Sequence, residues 1–321
     1  MPEQGPEHER PHRWADDPLW QESVAFWWYD AAAGAGGFGR FGLHPVEGYG
    51  RTMLFAFSEH DGLRFRRVDE RVPVELGDGP PPSLLGGGCE AAVDGDGRVT
   101  LRWAEPECEA ALAFTGFHAP HGFTGAGEEN LAGTIYGGHL ECAGRLQGSF
   151  RIGERTMTVD ALAHRDRSWG PRDMTRVHTN RMITGTFGPE LSFAANTIQL
   201  SDGSVNDIGH VVRHGTVEPF ERFVILPSIH LDGYSVAGGV LKGRLPSGEV
   251  LVIECDTIAG QLTPYDGYLC SEHISVARCG DLVGFCDNEL TNNPRGGSDM
   301  PRFLQYVDGG DGLSSLPRPD F

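Results

Sequence analysis

His164 to Asp173 (HRDRSWGPRD) holds three arginines, two aspartates, a histidine and a tryptophan directly after MTVDALA, a run that alternates like a half-buried strand. A strand places residues i and i+2 on one face. One face therefore carries Met157, Val159, Ala161, Ala163, Arg165, Arg167 and Trp169, and the other carries Thr158, Asp160, Leu162, His164, Asp166 and Ser168. By the same arithmetic His139 and Glu141 share a face in GGHLEC. If the strand persists, Asp160, His164, Asp166, His139 and Glu141 converge inside a barrel mouth. Poor solvation there pushes pKa values apart and separates an acid from a base. The same residues also admit a plainer use. Arg165, Arg167 and Arg172 alternate with Asp166 and Asp173 as a structural ion-pair network would, with Trp169-Gly170-Pro171 as a packed corner. Ser168 makes no serine triad, because no GxSxG elbow surrounds it.

The rest of the chain narrows the chemistry. AAAGAGGFGRF contains GxGGFG, but the following FGLHPVEGYG is not an amphipathic helix, so the stretch reads as a glycine-rich hairpin or bulge rather than a dinucleotide loop. DGDG lacks the later bidentate glutamate of a calcium loop. His118 and His121 have no further ligands at a defined spacing, and the single lysine, Lys242, lies in a Gly/Pro-flanked turn. The expected site thus uses no metal and no cofactor: acid/base work on an apolar substrate by side chains alone. Protonating an alkene leaves a carbocation that water, proton loss or an internal alkene quenches, and the donor needs a pKa raised by burial. Asp166 or Glu141 is the expected acid, Glu141 being the better one if Asp166 pairs with an arginine. His164 is the orienting partner or base, and Arg165 and Arg172 hold carboxylates or polarise a substrate carbonyl. Aromatic faces stabilise a cation, and Trp27, Trp28, Tyr29, Phe38, Phe41, Trp169 and Phe193 are the candidates.

These groups must be positioned by strands. The 321 residues include 46 glycines and 21 prolines, and short apolar runs recur about every ten residues between turns, the texture of an all-β sandwich or barrel. SEHDG and Gly153-Glu154 are expected hairpin turns, and EPFERFV is the one stretch with any helical character. The two halves share this texture, which implies two related β-domains. A formal charge of −19 argues against nucleic acid or an anionic membrane surface as partner. Seven scattered cysteines without a CxxC pair read as free buried thiols of a reducing compartment. No run reaches the ~20 apolar residues of a membrane span. MPEQGPEHERPHRW has no apolar signal core, so the expectation is a polar tail on a cytoplasmic protein. A homodimer is left open.

HLECAGRLQGSFRIGERTMTVDALAHRDRSWGPRD resembles a pattern of two-domain, lipocalin-like bacterial proteins related to AttH-type proteins and carotenoid 1,2-hydratases (hydroxyneurosporene synthases). That pattern is an aromatic or histidine plus glutamate, a Gly-x-x-x-Gly hairpin, then an Arg-Asp-x-Ser-Trp-Gly-x-Arg block. Glu141 matches the glutamate, with His139 before it, and Arg165, Asp166, Ser168, Trp169, Gly170 and Arg172 match the block. GFCDNEL resembles the family's closing Gly-x-x-x-x-Glu strand at Gly284 and Glu289, and DPLWQES its opening. The architecture is shared by pericyclases and some unconventional terpene cyclases. The resemblance implies two lipocalin-like antiparallel β-barrels in tandem: a disordered tail over 1–15, barrels over 16–173 and 174–321, and a pocket near the junction. It implies a hydratase, dehydratase, cyclase or isomerase acting on an isoprenoid-, steroid- or polyketide-like substrate. The alternative is a carrier that holds a hydrophobic small molecule unchanged.

Overall fold

The computed structural model describes residues 10–74, 83–86, 89–93, 98–122, 137–265 and 268–292. Residues 1–9 of the expected tail, the DGDG turn and most of the loop after His121 lie outside the described residues. The chain divides between Arg172 and Asp173 into two units, each all-β and antiparallel, so the architecture is two barrel domains in tandem.

The first unit contains β1 (Trp20–Asp30), β2 (Ala35–His44), β3 (Tyr49–Ser58), β4 (Leu63–Pro73), β5 (Ser83–Gly86), β6 (Cys89–Val93), β7 (Val99–Glu105), β8 (Cys108–Gly116), β9 (His121–Gly122), β10 (Gly138–Ile152) and β11 (Arg155–Pro171). Their order across the sheet is β4-β3-β2-β1-β11-β10-β8-β7-β6-β5, with β9 beside β10. The first strand is thus hydrogen-bonded to the last, which brings HRDRSW against SVAFW.

The second unit repeats this scheme with β12 (Val177–Thr186), β13 (Leu191–Leu200), β14 (Val205–Arg213), β15 (Thr216–Pro219), β16 (Arg222–Ile229), β17 (Val236–Arg244), β18 (Val250–Tyr265), β19 (Tyr268–Cys279) and β20 (Leu282–Asn292). Their order is β15-β14-β13-β12-β20-β19-β18-β17-β16, again first strand beside last. The hairpins before the two closing strands match as well. Gly153-Glu154 and Gly280-Asp281 each link their strands by two residues, with the leading glycine at φ 57° and 56°, a conformation glycine adopts freely.

SEHDG forms the expected turn between β3 and β4. EPFERFV is strand on both sides of a short break, within β15 and β16, because Phe220 and Phe223 pack into the core of the second unit. Among the described residues the only helical element is a single 3-10 turn at Met174–Arg176, capped by Asp173. The glycine-rich stretch opens with the expected hairpin, residues 31–34 turning β1 into β2 with Gly34 at φ 58°, and its remainder, AGGFGRFGLH, is the continuous strand β2. A Cβ on Gly37 would lie 2.4 Å from the Phe55 carbonyl oxygen. The Gly-x-x-x-Gly of GRLQG likewise lies inside β10, and the hairpin comes later, at Gly153.

Each unit encloses one apolar core. In the first, Val24, Phe26, Trp28, Phe41, Leu101, Phe114, Phe150 and Ala161 belong to it, and in the second Ile183, Phe193, Val211, Phe223, Ile253 and Cys286. β1, β2 and β3 are buried along nearly their whole length on both faces, whereas β7 alternates buried with exposed. The opposite face of β1–β3 carries a second apolar set: Trp27, Phe38, Phe55 and Phe57, each buried.

Residues 10–15, expected within a disordered tail, are tied to the first unit. The His12 amide donates to Glu22 Oε1 at 3.0 Å, its ring stacks on Trp169 at 4.0 Å, and the Arg10 carbonyl accepts from Arg167. All seven cysteines are among the described residues and none forms a disulfide. Among the described residues no helix is long and apolar enough to cross a membrane.

Candidate functional site

The register of β10 and β11 assembles the site. Glu141 lies opposite Asp166, His139 opposite Ser168 and Ala143 opposite His164, so four ionisable side chains share one face over two adjacent strands. β1 continues that face with Ser23, Ala25 and Trp27 beside Ser168, Asp166 and His164. This is the face away from the apolar core, which takes Val159, Ala161 and Ala163 from β11 and Cys142 and Leu146 from β10. The expected placement inside the barrel mouth is therefore corrected: the cluster sits on the other side of the sheet, and is nevertheless out of solvent.

Glu141 is fully buried and bridges two imidazoles. Its Oε1 accepts from His139 Nε2 at 2.6 Å, and its Oε2 pairs with His164 Nε2. With Nε2 donating, His164 presents Nδ1 as its second ring nitrogen, buried and without a hydrogen-bond partner. Burial alone would raise the Glu141 carboxyl. Attraction to the His164 ring when it carries a proton, and hydrogen bonds from both histidines, overcome it and bring the pKa to about 2. Burial pulls His139 down, but hydrogen bonding and charge from Glu141, with Asp166 adding, leave it above its ordinary value. Asp166 goes up, first through burial and then through the Glu141 charge, against the opposing pull of His139, Arg172 and Arg40. Its Oδ1 accepts the Ala25 amide at 3.0 Å, and His139, Glu141 and Asp166 bring ligand-type atoms within 4.8 Å of one another. Two adjacent carboxyls are thus driven in opposite directions, Glu141 toward the anion and Asp166 toward the acid.

Other residues complete this face. Arg172 donates to Ser168 Oγ at 2.8 Å, and Ser168 Oγ shares a hydrogen bond with Ser23 Oγ at 2.9 Å. Trp27 lies 6.5 Å from the His164 ring and 5.7 Å from Phe38. His121, on β9, is the register partner of Glu141, and burial with the charge of His118 lowers it to about 3.

Several expected site residues belong elsewhere. Arg165 points to the core face, its guanidinium 5.0 Å from the Phe114 ring. Arg167 shares that face and pairs with buried Glu22, not with Asp166. Trp169 is a packed corner, stacked on His12 and so close over Gly138 that a Cβ there would lie 2.2 Å from the indole. Trp28 is core, edge-on to Phe150 at 5.2 Å, because side chains alternate and Trp27 is the tryptophan of its pair that faces the histidines. Phe193 is core of the second unit, and Glu289 belongs to that unit too. Asp160 shares the strand face but lies toward the exposed end, paired with Arg145 at 2.7 Å. Trp27, Phe38 and Arg40 were reachable by extending i, i+2 counting to β1 and β2. His121 and Glu22 carried no local signal and needed the strand order.

The fold and the site together define an all-β, two-barrel chain with a His–Glu–His bridge on its first closing strands. Residues 5–294 match the family described as a domain of unknown function (DUF7064), and the chain is a member of it. No curated protein matches the sequence. Solved structures share the fold. A putative AttH (NE1406) from Nitrosomonas europaea superposes with a TM-score of 0.62 at 13% identity, covering 85% of this chain and 92% of that one. CghA with Sch210972 gives 0.61 at 14% identity, covering 87% and 90%. Kievitone hydratase from Nectria haematococca gives 0.59 at 10% identity, covering 84% and 88%. The tandem-barrel, AttH-like architecture implied by the sequence resemblance is therefore the architecture of this chain.

Proposed function

We propose that the first unit carries an acid/base active site of the hydratase/dehydratase type for an apolar, isoprenoid-, steroid- or polyketide-like alkene. The observation that carries this reading is the opposite drive on Glu141 and Asp166 beside a face of buried aromatics. The fold shared with a kievitone hydratase supports it. Asp166, protonated and anchored through Oδ1, gives its proton to one alkene carbon, and the π pair becomes the new C–H bond. The cation left on the neighbouring carbon is stabilised by the Trp27 face. Water attacks that carbon and loses a proton to His164 Nδ1, while Glu141 fixes the ring and balances the imidazolium, as the buried acid of a catalytic triad does. Returning that proton to Asp166 closes the cycle, with one water added to one alkene. Dehydration is the same path reversed, and capture of the cation by an internal alkene makes the site a cyclase. Arg172, through Ser168, keeps the rim of this face in place.

The test is incubation with a panel of terpenoid, steroid and polyketide alkenes in heavy-oxygen water, read by mass spectrometry. Addition of one labelled water, reduced about 10²–10⁴-fold in Asp166→Asn and His164→Ala, is the expected result. Recovery of a tightly bound ligand unchanged, with the variants binding it equally, overturns the enzyme reading in favour of a carrier.

A further inference from the structure

Gln199 on β13, Thr179 on β12 and Asn292 on β20 are successive register partners where these three strands end, and so form one rung at the mouth of the second barrel. Strand parity puts all three on the core side, the face that carries Ala195, Ile183 and Cys286. Thr179 is 3% exposed and Asn292 6%, and Gln199 is half-buried. Thr179 Oγ1, Gln199 Oε1 and both Oδ1 and Nδ2 of Asn292 lie out of solvent without a hydrogen-bond partner. Buried polar atoms of this kind are rare, because each forfeits the bonds it made to water. The next rung inward differs. There Thr197 Oγ1 donates to Asp207 Oδ1 at 2.5 Å, and the Arg181 charge favours the Asp207 anion. The first barrel closes its equivalent rung, Leu43–Glu22–Trp169, with its own chain: the His12 amide donates to Glu22 and the His12 ring stacks on Trp169.

We propose that the Gln199–Thr179–Asn292 mouth of the second barrel binds an uncharged polyhydroxyl molecule, a sugar or polyol. None of the three side chains is charged, so a phosphate or carboxylate meets no cation on this rung. None is aromatic, so a nucleobase meets no stacking face. An amide offers donor and acceptor side by side, and a hydroxyl offers both on one atom. That set complements neighbouring hydroxyls, each of which also donates and accepts. Adjacent strands lie about 4.8 Å apart, so Gln199 to Asn292 spans about 10 Å, the width of one pyranose ring hydrogen-bonded at both edges. Leu290, two residues before Asn292 on the same face, and Leu269, its register partner on β19, give the C–H face of such a ring an apolar contact. The proposal does not rest on the hydratase reading.

The experiment is calorimetric titration and saturation-transfer NMR of the full chain with the methyl glycosides of glucose, galactose and mannose and with inositol. The expected result is saturable one-to-one binding of at least one probe, weakened about 3–10-fold in Thr179→Val and lost in Asn292→Leu. Both variants keep the size of the side chain. Asn292→Leu removes polar atoms that have no partner, so its melting temperature equals or exceeds that of the wild type. Asp166→Asn binds the same probe with unchanged affinity; a loss there places the probe at the first unit's site and overturns the proposal. Failure of all four probes to bind at millimolar concentration also overturns it. So does binding that is indifferent to both Thr179→Val and Asn292→Leu, or a fall in the melting temperature of Asn292→Leu, which marks Asn292 as a partnered structural group.

Discussion

Four positions on the closing strands of the first unit correspond to four on the closing strands of the second. His139 and Glu141 answer to Cys270 and Glu272, and His164 and Asp166 to Asp287 and Glu289, with the same i, i+2 spacing and the same cross-strand pairing. Both sets lie on the face away from the core. In the first, two imidazoles clasp Glu141 and hold its pKa at about 2. In the second, a thiol and an aspartate stand where the imidazoles would be, and burial together with the charges of Glu272 and Glu289 drives Asp287 well above the ordinary carboxyl range. One scaffold thus makes opposite electrostatics. The strand register decides which residues meet, and the identity of the partners decides whether a buried carboxylate is stabilised or strained.

The largest test of that contrast removes one carboxylate from each set. Glu141→Gln leaves a buried imidazolium without its counter-charge and costs about 3–5 kcal/mol in urea unfolding. Asp287→Asn goes the other way and stabilises, since it removes a carboxyl whose anion is disfavoured by burial and by the charges of Glu272 and Glu289. If both variants lose stability to the same extent, the two clusters are electrostatically alike and the comparison fails.

The pH dependence sharpens the same contrast at smaller amplitude. The folded pKa of Glu141, about 2, lies below its unfolded value, so its contribution is present above about pH 4.3 and is lost as pH falls toward the folded value. Asp287 is raised, so it favours the folded state least at neutral pH and its cost disappears on acidification below about pH 3.9. Asp287→Asn is therefore stabilising at pH 7 and loses that advantage on acidification. A variant whose stability difference is independent of pH contradicts this sign.

The smallest effect belongs to Asp160→Asn. Asp160 has the right strand parity but an exposed position against Arg145, so turnover stays at the wild-type rate. A measurable loss in turnover assays would extend the site along β11 beyond His164.

Much of this was legible in residue order. The all-β class followed from turn spacing, and the pairing of His139 with Glu141 and of His164 with Asp166 on shared faces followed from strand periodicity alone. Periodicity did not say which face was inside. That is why Arg165, Trp28 and Trp169 were grouped with the site and Trp27 received no preference over its neighbour. Parity also grouped Asp160 with His164, although distance along a strand carries one toward solvent and the other into the buried zone.

The sequence by itself determined the local terms: which side chains alternate, where glycine permits a two-residue turn, and which residue types can exchange a proton. Only the tertiary structure decided the rest, because a pKa depends on what lies across the strand. Pairing β10 with β11 set Glu141 between two histidines, pairing β1 with β11 supplied Trp27 and the Ala25 amide, and pairing β19 with β20 gathered Cys270, Glu272, Asp287 and Glu289 without a histidine among them.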